Sequence, residues 1–290
     1  MSRAEEYFGP YRVVNVVNVG QTSTMLQGFD SQERKFVGIK TLQNRFSRDK
    51  EQLAYLKWEY EVARTLDHEK IIKILDFGWD RKRPYLLMEW FPEMNVKNLI
   101  NSGYDNYAYM VIPIVRGMAE SLGYLHEKKW VHRDVKPDNF LYGEGEGKGL
   151  RLIDFALTKK AKTGIMSKLG FRSKAQGTAS YIAPEQILSK SIDPRSDIYS
   201  LGCTIFELLS GRPPYTANSH NELLQKHISQ QVPSITAKNR NVTPEMGDVL
   251  QWMLAKRPGD RPKNGSEIYK LLSGIRIFKK IPTKEQSWGT

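Results

Sequence analysis

Residues 132–139 read His-Arg-Asp-Val-Lys-Pro-Asp-Asn, and within six positions they hold a carboxylate (Asp134), an ammonium (Lys136) and an amide (Asn139). Phosphoryl transfer needs these groups close together. A carboxylate orients an attacking hydroxyl and accepts its proton, a cation neutralises the moving phosphoryl group, and an amide oxygen holds a metal ion. Fifteen residues beyond Asn139, the string Ile153-Asp154-Phe155-Ala156 adds a second carboxylate after a short apolar run. Asn139 and Asp154 together offer the hard oxygen ligands that Mg²⁺ prefers, with its other positions left to phosphates and water.

The elements that must position these groups change character along the chain. The first 90 residues read mostly as strands: Tyr11 to Val19, Thr24 to Phe29, Phe36 to Leu42, Ile71 to Phe77 and Pro84 to Trp90. One helix interrupts them, because Leu53, Leu56, Tyr60, Ala63 and Leu66 recur at three- and four-residue steps over about Arg48 to Asp67. Beyond Val96 the pattern is chiefly helical, at roughly Asn106–His126, Arg195–Ser210, Asn221–Ser229, Pro244–Leu254 and Gly265–Ile275. Residues 130 to 192 carry little periodicity and read as loop. Within them the glycine-rich run from Gly143 to Gly149 is the turn of a hairpin between two short strands. The expected fold is α+β, a β-rich lobe with one key helix joined to a mainly helical lobe.

Composition narrows the class. The chain has 290 residues, 40% hydrophobic and 26% charged, enough to bury a sizeable core and unlike a disordered or collagenous chain. Its longest apolar run, Tyr109 to Val115, falls far short of the ~20 residues of a membrane-spanning helix. No apolar leader follows Met1, and Cys203 is the only cysteine, so a soluble cytoplasmic protein without an internal disulfide is expected. Lys and Arg outnumber Asp and Glu by 44 to 32, which favours anionic partners. Six basic residues and no acidic one lie between Thr158 and Gln176, and Arg276, Lys279, Lys280 and Lys284 form a second cluster. Aromatics are not interleaved with either cluster, so both read as solvated surface and no nucleic-acid partner is expected.

With these residues in view, the chain resembles eukaryotic-type Ser/Thr protein kinases from about Tyr11 to Leu272. The resemblance implies a bilobal catalytic domain over 11–275 (lobes of about 11–90 and 91–275), after an extension over 1–10 and before a basic tail over 276–290. It also implies ATP and Mg²⁺ (with Mn²⁺ as a substitute) and protein substrates bearing Ser or Thr. Lys40, in Val37-Gly38-Ile39-Lys40, would contact the α- and β-phosphates from the third strand. Glu59, nine residues before His68, would be its ion-pair partner. Asp134 would be the catalytic base, Lys136 the γ-phosphate cation, and Asn139 and Asp154 the metal ligands. Val17, Asn18, Gly20, Met25, Gly38 and Leu141 would line the nucleotide site. Met88 would stand behind the adenine, with Glu89 and Phe91 offering backbone groups to its edge. Thr178, with Lys136, marks the Ser/Thr class. Asp197 would anchor the catalytic loop, Glu185 of Ala183-Pro184-Glu185 would pair with Arg261, and His132 would pack in the core under Phe155. Taken singly, Lys40 is an ordinary strand lysine, Glu59 a helix-surface carboxylate and Asp197 an N-cap. The ordered string sets them apart.

Three departures from the family pattern bear on activity. Its glycine loop maps onto Asn18, Gly20 and Ser23, so one glycine of three remains, and Met25 replaces the usual Val. Glycines serve such loops by close approach and positive φ, so weaker ATP binding is expected, and a scaffold with little phosphoryl transfer is the alternative reading. Gly38 stands for the usual Ala and would remove a methyl from the roof of the adenine pocket. Ala156 stands for the usual Gly and would stiffen the hinge after Asp154. Arg133 resembles the arginine that pairs with an activation-segment phosphate, for which Ser173 is the best-placed acceptor and Ser167 and Thr163 are alternatives.

Overall fold

The structure, a computed structural model, describes residues 6–161 and 177–284. The expected phosphate acceptors Ser173, Ser167 and Thr163 lie outside them. The chain forms two compact units, one running to Pro92 and including Asp154–Ala156, the other comprising Glu93–Ile153 and the chain from Leu157 on.

The first unit is built on a six-stranded antiparallel sheet: β1 (Tyr7–Phe8), β2 (Tyr11–Val19), β3 (Ser23–Asp30), β4 (Lys35–Leu42), β5 (Ile74–Asp80) and β6 (Arg83–Glu89), in the order β1-β2-β3-β4-β6-β5. Lys40 therefore sits on the fourth strand, because Tyr7 and Phe8 form an additional short one. Alternation along β4 sorts its side chains. Val37 and Ile39 join a core cluster with Phe8, Leu26, Tyr85 and Leu87, while Gly38 and Lys40 point to the opposite side. Helix α1 (Lys50–Ala63) buries Leu56, Glu59, Val62 and Ala63. It is shorter than its apolar spacing suggests, since the Asp49 carboxylate caps it by accepting from the amides of Glu51 and Gln52, and Leu66 is buried in the turn beyond.

β5 starts three residues later than expected and runs on to Asp80. It turns into β6 through Arg81 and Lys82, both at positive φ (43° and 72°), with Asp80 and Arg83 paired across the turn. Such tight hairpins normally use Asn-Gly or Asp-Gly, so nothing in the residue types marks this one.

The second unit is mainly helical. Its helices are α2 (Val96–Asn101), α3 (Tyr104–Tyr107), α4 (Val111–Glu127), α5 (Pro184–Ile187), α6 (Pro194–Ser210), α7 (His220–Ser229), α8 (Ile235–Lys238), α9 (Pro244–Met253) and α10 (Gly265–Gly274). Proline opens α5, α6 and α9, where its missing N–H has no intrahelical acceptor to lose. Gly211 (φ 75°) ends α6 in the left-handed conformation. The stretch that reads as loop holds four short strands: β7 (Trp130–Val131) pairs with β10 (Lys159–Lys160), and β8 (Phe140–Gly143) pairs with β9 (Gly149–Leu152) around the glycine-rich turn.

The four basic residues of the tail are exposed, as read, but the segment that carries them is docked. Ile277 and Phe278 are almost fully buried, and Phe278 bridges to Val242. The Thr243 amide donates to the Ile277 carbonyl (3.1 Å), and Lys279 Nζ donates to the Arg240 carbonyl (2.9 Å). The two apolar side chains dock this segment, and its charges follow.

Helices α4 and α10 meet at Gly123 and Gly265. A Cβ on Gly265 would collide with the Gly123 backbone nitrogen and crowd the Ala119 carbonyl oxygen. Backbone cannot yield as a side chain can, so Gly265→Ala is expected to destabilise the chain by at least ~2 kcal/mol in chemical denaturation. Gly274→Ala, whose Cβ would meet nothing within 4 Å, is the control and should be neutral or mildly stabilising.

Candidate active site

In the first unit, Lys40 Nζ lies 2.7 Å from Glu59 Oε2 and 3.4 Å from Asp154 Oδ1. The expected partner Glu59 is thus in place, and Asp154, expected only as a metal ligand, lies beside the same ammonium. Burial acts to lower the Lys40 pKa, but the Asp154 and Glu59 carboxylates outweigh it and hold the ammonium above the ordinary lysine range. Burial pushes the Glu59 carboxyl up to about 7, although Lys40 and the Phe155 amide favour its charge. Asp154 has φ 65°, a conformation that costs a non-glycine residue about 1–3 kcal/mol. Ala156 is at negative φ, so its Cβ adds no strain, and its amide faces Asp154 Oδ1 at 3.3 Å.

The eroded glycine loop forms a closed hairpin with a register shift between Val16 and Asn18. Asn18 pairs with Met25 and Val19 with Thr24, and the Gly20 amide donates to the Ser23 carbonyl (2.9 Å). Asn18, Gly20 and Ser23 are all at negative φ, so the turn does not draw on the freedom its lost glycines would have given. Val17 remains half exposed on β2.

Gly38 requires a correction. A Cβ there would fall 2.8 Å from Met25 Cε and 2.8 Å from Met88 Cγ. The two methionines already occupy the space, so the missing methyl does not enlarge the pocket. Met88 is buried opposite Gly38 on β6. The Glu89 amide is engaged by the Lys73 carbonyl (2.9 Å), Glu89 Oε1 accepts from the Lys73 amide, and Phe91 is buried.

In the second unit, Lys136 Nζ donates to Asp134 Oδ2 (2.6 Å) and to Thr178 Oγ1 (2.9 Å). Thr178 in turn gives its amide and hydroxyl to Asp134 Oδ1, each at 3.1 Å. Asn139 Nδ2 donates to the Asp134 carbonyl (2.8 Å) and approaches Oδ2 (3.3 Å), so the amide oxygen is the end turned to other ligands. Among the described residues no three His, Cys, Asp or Glu side chains gather as a metal cage. Asn139 in the second unit and Asp154 in the first each carry a hard oxygen of the kind that Mg²⁺ takes. Leu141 lies on β8.

A buried frame holds this loop. Asp197 accepts from the amides of His132 (2.7 Å) and Arg133 (2.8 Å) and contacts His126 Nε2 at 2.9 Å. It is not an N-cap: Asp193 caps α6, accepting from the Arg195 amide. Arg133 has φ 73°, and Gln186 Nε2 donates to its carbonyl (3.0 Å). Glu185 meets Arg261 through two bonds of 2.7 and 3.0 Å, both groups buried, with the Ser196 hydroxyl also donating to Glu185 (2.6 Å). His132 and Phe155 are fully buried. His126, Gln186 and Ser196 carry no sequence signal, because the bonds through which they act form only in the folded chain.

The family model described as protein kinase domain matches residues 11–272. The chain belongs to the protein kinase family. Its relatives include serine/threonine-protein kinase PknL of Mycobacterium tuberculosis, 29% identical over 251 residues, covering 87% of this chain and 62% of that protein. A probable serine/threonine-protein kinase of Clostridium acetobutylicum is 27% identical over 266 residues (92% of this chain, 40% of the relative). Serine/threonine-protein kinase PknB of Mycolicibacterium smegmatis is 27% identical over 263 residues (89% and 41%). The chain thus spans less than two thirds of the length of each.

If Met25 and Gly38 are matched in size, their substitutions must be coupled. Gly38→Ala should cost about 1 kcal/mol in chemical denaturation and appreciably less in a Met25→Val background. An equal cost in both backgrounds would show that the methionine is not what fills the space.

Proposed function

We propose that this chain transfers the γ-phosphoryl group of Mg·ATP to Ser or Thr hydroxyls of polypeptides. The observation that carries the reading is the Lys136 ammonium bridging Asp134 and Thr178, a cation held beside the carboxylate that would receive the hydroxyl proton. The names of the relatives support the serine/threonine class. The scaffold alternative rested on the lost glycines, and the hairpin closes without them.

Asp134 would orient the alcohol and accept its proton, and Lys136 would offset the charge developing on the transferred group. Lys40, fixed by Glu59, would position the α- and β-phosphates. Asn139 and Asp154 would each be a ligand for Mg²⁺, which when bound neutralises phosphate charge, and Mn²⁺ offers the same ligand preference. Val17, Met25, Gly38, Met88 and the backbone of Glu89 and Phe91, all in the sheet unit, would receive the nucleotide. Arg133 and a phosphate on Ser173 would regulate it. The same proposal places the protein in the cytosol, a reducing compartment that suits its single buried cysteine. No helix among the described residues is long and apolar enough to cross a membrane.

Incubation with labelled ATP, Mg²⁺ and a generic basic protein tests the reading. The wild-type chain should label that protein on Ser or Thr, and Asp134→Ala should lower the rate by about 10²–10⁴-fold. Equal labelling by the two chains, or none by the wild type, would contradict it.

A further inference from the structure

A second polar cluster in the helical unit takes no part in the chemistry above. His227, on α7, is fully buried between aromatic neighbours, 5.7 Å from the Tyr199 ring and 5.0 Å from the Tyr215 ring, centroid to centroid. Lys256 Nζ stands 5.6 Å from the centre of Tyr199 and 4.5 Å from that of Tyr215. It donates to Tyr215 Oη (2.8 Å) and the His227 carbonyl (2.9 Å), with Tyr199 Oη at 3.4 Å.

Lys256 Nζ also reaches the Lys226 carbonyl (3.5 Å), and donor and acceptor capacity then orders the bonds among the rings. An ammonium only donates, so each phenol oxygen that receives from Lys256 must send its own proton elsewhere. Tyr215 sends it to the Gln230 carbonyl (3.1 Å). For Tyr199 the nearest acceptor is His227 Nδ1 at 3.0 Å, nearer than the His227 carbonyl at 3.4 Å. His227 Nδ1 is therefore the acceptor, and the ring proton sits on Nε2. The imidazole stays neutral at ordinary pH, because burial and then the Lys256 charge push its pKa down to about 4.

Nε2 is buried and lies within reach of the Ala179 and Ser180 backbone, whose groups favour its proton, though among the described residues it closes no well-formed hydrogen bond. A buried donor left unpaired is costly, so a small movement of that backbone toward it is favoured. The facing residues are not arbitrary. They follow Thr178, which is tied to Asp134 and Lys136, and precede Tyr181, whose hydroxyl donates to Glu207 (2.6 Å).

We propose that His227 is a positioning residue for polypeptide substrate. Its Nε2–H, set by Tyr199 and Lys256, is the donor that seats the Ala179–Ser180 backbone. The first half of this statement stands on the cluster alone, and the role toward substrate rests on the kinase reading. A purely structural histidine would affect nucleotide and polypeptide alike. A positioning one separates them.

The test compares the full chain with His227→Phe, which has no donor, and His227→Gln, whose amide restores one. His227→Phe should raise the KM for a generic basic protein about tenfold, a loss the size of one hydrogen bond, and leave the KM for ATP within about twofold. Backbone amides 177–183 should exchange hydrogen faster in the same variant without substrate. His227→Gln should recover both within about threefold. Tyr199→Phe, which releases the ring tautomer, should shift both in the same direction as His227→Phe and serves if that variant folds poorly. Unchanged exchange, equal movement of both KM values, or a Gln variant as impaired as Phe would overturn the proposal. Absence of phosphate transfer by the wild type would remove the kinase reading, and the exchange comparison would still decide whether His227 holds the segment.

Discussion

A carboxylate sealed from water needs donors to offset its lost hydration, and Asp197 meets three: the amides of His132 and Arg133 and the ring of His126. Two of those donors are consecutive amides of the chain that leads into Asp134. Both can reach one carboxylate only if the backbone turns sharply, and Arg133 accordingly adopts φ 73°. Gln186 holds the following carbonyl. Asp134, Lys136 and Asn139 then close on one another through their own bonds, with Thr178 as the fourth member. Strain at Arg133 is thus maintained by a buried charge with nowhere else to satisfy its oxygens.

The rest of the helical unit keeps that charge in place. Asp197 lies in the first turn of α6, a helix buried along nearly its whole length. The Glu185–Arg261 pair ties the start of α5 to the chain before α10, and the Arg261 guanidinium lies 4.8 Å from the centre of the Tyr199 ring. Removing either member would leave a buried charge uncompensated, which typically costs about 3–5 kcal/mol. In the sheet unit the same logic works on the cation. Lys40 is flanked by Glu59 and Asp154, and the second of these is again held at positive φ.

Much of this was legible because chemistry and spacing are local. The string from His132 to Asn139 exposes its carboxylate, ammonium and amide to inspection, and the helices opened by proline and capped by Asp193 or Thr243 announce their starts. Other features were not legible, for reasons that differ. Arg81 and Lys82 take positive φ without being Gly or Asn because the pairing of the flanking strands imposes the turn, and Arg133 and Asp154 do so because tertiary bonds outweigh local preference. Gly38 looked like a vacancy until Met25 and Met88 were seen to fill it. The tail looked like free charge because Lys and Arg hide the two apolar residues that dock it. His227, Gln186 and His126 act through bonds to residues far away in sequence, a relation that no single-chain pattern encodes.

The dependence of the catalytic loop on one buried carboxylate is most directly measured by replacing Asp197 with Asn, which keeps the shape and removes the charge. The amide can still accept one backbone N–H but cannot match two amides and an imidazole at once. Nucleotide affinity by calorimetry should stay within about threefold while phosphoryl transfer falls about 10²-fold or more, since the loss is in placing Asp134 and not in holding ATP. A variant that folds and transfers phosphate at the wild-type rate would contradict the account.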